Sequence, residues 1–183
     1  MYKLAAFILC SACLIYISRA SFKSPHSHGF YRFFAWEFIL ALFLLNLDVW
    51  FSQPFSAYQL VSWCLLILCL IPLALGVRSL TSQGQAASRR PGDESLLAFE
   101  KTTVLVTGGI YRYIRHPLYS SLLLLAWGIF FKAPGWIGAA LALATSLFLY
   151  ATARADEAEC LRYFGAPYRE FMKHTRRFVP FLF

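Results

Sequence analysis

The chain has 183 residues, 59% of them apolar and 18% aromatic, with a mean hydropathy of +0.57 and a formal net charge of +8. That is more apolar material than one soluble core can bury, so a soluble globular domain is excluded and an integral membrane protein is indicated. The 17 Lys and Arg residues sit beside apolar stretches and do not gather on a soluble module, which also sets nucleic-acid binding aside.

Uncharged or nearly uncharged stretches run Leu4 to Ser18, Phe33 to Phe51, Leu60 to Val77, Tyr119 to Phe131 and Gly135 to Ala153. At 1.5 Å per residue the longer ones suit a hydrocarbon layer of about 30 Å, and an all-α protein of about five membrane helices is predicted. The first stretch reads as an uncleaved helix and not a signal peptide, because only Lys3 precedes it and Arg19 and Lys23 follow it. In the second, Glu37 and Asp48 lie near opposite ends, where a carboxylate reaches the interface.

Residues 81–95, "TSQGQAASRRPGDES", form a polar loop, and "TTVLVTGG" after it reads as an extended stretch ending in a tight turn. The fourth apolar stretch has only 13 residues and runs into Ala133-Pro134-Gly135. It is one arm of a helical hairpin that either tilts or spans incompletely, so four spans are the alternative count. The chain divides into a three-helix part (1–80), a loop (81–103) and a chemistry-bearing core (104–183) within one membrane domain. With five alternating spans, 15 of the 17 basic residues fall on one side, which predicts cytoplasmic loops there and a cytoplasmic C-terminus.

Cys10 and Cys13 form a CxxC inside an apolar helix, and Cys64, Cys69 and Cys160 are scattered, so all five read as packing residues. His26 and His28 in "SPHSHGF" read as solvated, and no metal site is predicted.

Two polar clusters stand apart from this pattern. In "GGIYRYIRHPLYSS", Pro117 fits the first turn of a helix and biases His116 towards extended geometry, which holds His116 at a helix mouth. Unpaired N–H groups and Arg115 make that mouth attractive to a carboxylate or phosphate, and Tyr119 follows on the same side. A snorkelling Arg with an interfacial His and Tyr is the plain alternative. In "RADEAEC", Arg154, Asp156, Glu157 and Glu159 close the last span. Asp156 and Glu157 are about 100° apart on a helix and can grip two parts of one bound molecule, whereas Arg154 and Glu157 can also form a simple ion pair. The aromatic and basic tail "APYREFMKHTRRFVPFLF" reads equally as an interfacial amphipathic helix. Together the clusters suit a zwitterionic cofactor acting on a lipophilic substrate.

"LVTGGIYRYIRHPLY" followed by "ADEAECLRYFGAPYREFMKHTRRFVP" resembles the isoprenylcysteine carboxyl methyltransferase superfamily, which includes phospholipid methyltransferases, over residues 103 to 181. The resemblance implies S-adenosylmethionine as methyl donor, with the C-terminal segment completing its site at the cytoplasmic face. It implies Leu105, Val106, Tyr111, His116, Pro117, Tyr119, Asp156 and Glu157 as cofactor-binding residues. Glu157 and Arg154 are the candidate catalytic residues, Glu157 or Glu159 as base for an amine nucleophile. Two departures stand out: the family's Glu-Glu pair is Asp156-Glu157 here, and Thr152 takes the place of an arginine suited to a substrate carboxylate. The expected function is direct methyl transfer to a membrane-embedded lipid or lipophilic small molecule, in a prokaryotic plasma membrane. An NADPH-dependent membrane reductase of related architecture, for which Arg89-Arg90 would serve the 2′-phosphate, and a non-catalytic membrane protein keeping the fold are the competing readings.

Overall fold

A computed structural model describes residues 1–85 and 101–179. Its helices are α1 (Tyr2–Ser18), α2 (His28–Leu45), α3 (Ala57–Leu68), α4 (Leu70–Gln83), α5 (Pro117–Phe130), α6 (Trp136–Phe164) and α7 (Ala166–His174). A helix carries each of the five predicted apolar stretches, and no named β-strand occurs among the described residues.

The third stretch is a kinked rod made of α3 and α4. Pro72 has no N–H for the Leu68 carbonyl and its ring presses on that carbonyl, so the rod breaks at Cys69. Three units are long and apolar enough to cross a membrane: α2, the α3–α4 rod and α6. The apolar helices α1, with 17 residues, and α5, with 14, are shorter.

α4 continues to Gln83, past the predicted loop start, because Leu80 packs with Val106 and Tyr111 and draws another turn into the fold. Residues 86–95 of that loop, Arg89 and Arg90 included, lie outside the described residues.

α6 sets the position of the site. Its 29 residues span about 44 Å, roughly 14 Å more than a hydrocarbon layer, so its last turns from Arg154 project beyond the oil. α2 packs along α6, and α5 folds back against it as the predicted hairpin. Small residues at these seams, Ala35, Ala126, Ala142 and Ala153, are fully buried and let the helices approach closely.

The polar groups sort to two ends. At one, Lys3 Nζ reaches Asp48 at 2.8 Å and the Leu45 carbonyl at 3.2 Å, and Lys132 is buried against Gln59. At the other stand the first residues of α2 and α5 and the last turns of α6. Glu37 lies in the middle of α2 and not near its end as expected, and its Oε2 accepts from the Ser11 hydroxyl at 2.5 Å.

Candidate cofactor site

The site begins at the mouth of α5. Pro117 occupies the first helical position and His116 is the cap residue, as the sequence predicts, although with φ −126° and ψ 61° His116 stops short of the extended geometry expected of it. Before it, Gly109 turns the chain with φ +60°, a conformation that glycine adopts without strain.

An interaction absent from the sequence reading fixes this mouth. After α7 the chain runs back alongside residues 113–116: the Arg115 N–H donates to the Arg176 carbonyl at 2.7 Å, His116 N–H to Arg177 O at 3.1 Å, and Arg176 N–H to Tyr113 O at 3.0 Å. The Ser120 hydroxyl completes the join on the Phe178 carbonyl at 2.8 Å. α7 itself is amphipathic, as expected of the tail, and it buries Tyr168, whose phenol burial pushes upward in pKa.

His116 is buried and lies between the acidic pair of α6. Its Nδ1 stands 3.4 Å from Asp156 Oδ2 and its Nε2 3.4 Å from Glu157 Oε1, although Nε2 makes no hydrogen bond among the described residues. The ring stacks on Tyr119 at 5.3 Å, and the Tyr119 hydroxyl donates to Asp156 Oδ2 at 3.2 Å. Burial works against the imidazolium, but Asp156 and Glu157 outweigh it, and the His116 pKa is raised from 6.5.

The two acids face different partners. Glu157 is clasped by two guanidiniums, Arg115 Nε at 2.9 Å and Arg177 through Nε at 3.1 Å and a terminal nitrogen at 2.8 Å. These bonds hold the Arg177 pKa above its ordinary value. Arg115, expected to offer charge to a ligand, also donates to the Met172 carbonyl at 3.3 Å and to the Thr175 carbonyl, closing the C-terminal end of α7.

A cavity of about 100 Å³ opens beside His116 and Asp156. Of the eight residues expected to bind the cofactor it brings together Leu105, Val106, Tyr111, His116, Tyr119 and Asp156, with Arg115 beside them. Pro117, Glu157 and Arg154 do not line it: Pro117 packs where α4 passes at Gly76, Glu157 faces the arginines, and Arg154 is exposed and bonded to Tyr150. Glu159, Cys160, Tyr168 and Phe171 line it as well. Glu159 is the carboxylate named from the sequence as a candidate base, and Cys160 was findable, since i+4 from Asp156 shares its face of the helix.

The side-chain set suits a cationic nucleoside: carboxylates to accept from hydroxyls or an ammonium group, and apolar and aromatic walls for a base. Farther along α5 lies an apolar hollow of about 830 Å³ between α1, α2, α3 and α5, bounded by Leu122, Leu125 and Ile129. Leu118, in the wall of the first cavity, lies on the same face of α5 as these three.

Residues 93–166 match the model of a family described as phospholipid methyltransferase. No curated protein and no solved structure matches the chain.

Proposed function

Residues 93–166 carry a domain of the phospholipid methyltransferase family, within the superfamily of integral membrane methyltransferases that includes the isoprenylcysteine carboxyl methyltransferases, and from that premise we propose that this chain transfers a methyl group from S-adenosylmethionine to a lipophilic substrate held in the bilayer. One observation carries the reading: six motif residues from two distant stretches meet around one cavity, with His116 set against Asp156.

When bound, S-adenosylmethionine supplies an electrophilic methyl group on a sulfonium. Asp156 and Glu159 would accept hydrogen bonds from its hydroxyl or ammonium groups, and Leu105, Val106 and Tyr111 would flank its base. At about 100 Å³ the cavity is smaller than the roughly 300 Å³ at which ligand pockets begin, so binding requires rim side chains to swing aside.

Direct displacement needs alignment and exclusion of water more than it needs covalent help from the protein. A carboxylate nucleophile requires no base. An amine does, and both candidate carboxylates are already engaged, Glu157 by two guanidiniums and Glu159 by His28. Arg154, exposed where α6 leaves the oil, is placed to meet an anionic head group at the membrane surface. The 830 Å³ apolar hollow supports a substrate whose hydrocarbon chain stays among the helices. The charge bias supports a site at the cytoplasmic face.

Calorimetry on the purified chain with S-adenosylmethionine and with NADPH tests the cofactor. Incubation with methyl-labelled donor and a membrane lipid extract, with the product identified by mass, tests the reaction. Binding of NADPH alone would transfer the assignment to a reductase, and donor binding that survives His116→Ala undiminished would favour a non-catalytic protein.

A further inference from the structure

The cavity wall depends on a residue that lies outside the matched segment. Glu159 lines the cavity, and both of its carboxylate oxygens are taken by His28, 131 positions earlier: the His28 backbone N–H donates to Oε1 at 2.9 Å, and Nδ1 meets Oε2 at 2.6 Å. His28 is fully buried, so the solvated placement expected from its loop is corrected. The reason is its position as first residue of α2, where unpaired backbone N–H groups and the positive end of the helix dipole draw a carboxylate. His28 Nε2 makes no hydrogen bond among the described residues.

His28 repeats, on the other flank, the relation between His116 and Asp156. Asp156 and Glu159 stand three residues apart on one face of α6, and each meets an imidazole from the mouth of a different helix.

We propose that His28 is a positioning residue of the cofactor site: it fixes the rotamer of Glu159 so that this carboxylate stays in the cavity wall as a pre-oriented acceptor. The inference rests on the cofactor reading above. Glu159 belongs to the last turns of α6, where the helix has left the apolar layer and a glutamate without partners would turn to water. Clamped by a backbone N–H and an imidazole together, it has lost that freedom before a ligand arrives, which lowers the entropy lost on binding. The three-helix N-terminal part thus supplies one member of the site.

The test is calorimetric affinity for S-adenosylmethionine and S-adenosylhomocysteine, measured on the full chain in lipid nanodiscs. His28→Ala and Glu159→Ala are each expected to weaken binding about tenfold, and the double variant is expected to be no worse than either single, as for residues acting through one contact. His28→Asn keeps the backbone N–H and a short side-chain donor, and it is expected to recover affinity to within about threefold of wild type. Unchanged affinity in His28→Ala, or additive losses in the double variant, would overturn the positioning role. If His28→Ala does not fold, His28→Leu, which also removes the side-chain donor, takes its place in the cycle, where losses that add to those of Glu159→Ala count against the clamp. Folded wild-type protein that binds neither nucleoside overturns the cofactor reading itself, and the inference with it.

Discussion

Glu157 and His116 are the residues whose chemistry is most constrained by burial. The Glu157 carboxylate is 5% exposed and shares its charge between Arg115 and Arg177. Removing one member of such a cluster strands the others, so Glu157→Gln should lower unfolding stability by roughly 3–5 kcal/mol, read as a fall in melting temperature in detergent. For His116 the sign follows from its raised pKa. Between the ordinary 6.5 and the higher folded value, the native state binds a proton that the unfolded state does not. The stabilisation is complete below 6.5 and is lost as pH rises through the folded pKa. The stability difference between wild type and His116→Gln should therefore shrink as pH rises above 6.5, and a difference that grows with pH would contradict the ion-pair assignment.

At the scale of elements, the turn before α5 and the far end of the helices make separate predictions. Gly109 has φ +60°, and a Cβ there would stand 2.5 Å from the Ser79 hydroxyl oxygen. Gly109→Ala should cost about 1–3 kcal/mol from backbone strain and should loosen the cavity wall at Tyr111, measurable as weaker donor binding beside a lower melting temperature. At the opposite end, Lys132 is 1% exposed, with Nζ 3.0 Å from Gln59 Oε1 and 3.3 Å from the centre of the Trp63 ring. This indole stands in for water around a buried ammonium. Trp63→Leu should destabilise by about 0.5–2 kcal/mol through lost cation–π attraction, with donor affinity unchanged because the residue is remote from the cofactor cavity.

Across the whole molecule, the join between residues 113–116 and 176–178 makes the site a property of both ends of the core. A chain stopped after Thr175 should still insert its helices, judged by protease protection, yet lose donor binding. How much of this was legible follows from the range of each interaction. The apolar stretches gave the helices, because burial in oil is decided locally by composition, and Pro117 gave the start of α5, because a missing N–H is tolerated only in the first turn. The spacing of the acidic run held the direction of Glu159, three residues from Asp156. His28 was not legible: nothing in "SPHSHGF" announces a carboxylate 131 residues away. The same holds for the clasp of Arg115 and Arg177 on Glu157. Their assignment required knowing that the segment after α7 returns to α5.

That return also dictates when the protein becomes competent. The helices α1 to α6 can be in place while residues 176–178 have still to dock beside residues 113–116. A chain at that stage has its carboxylates and imidazoles without the strap that orders them. Competence for the proposed methyl transfer should thus begin abruptly, when residues 176–178 pair with residues 113–116, and a copy in the membrane whose strap is undocked should be chemically silent.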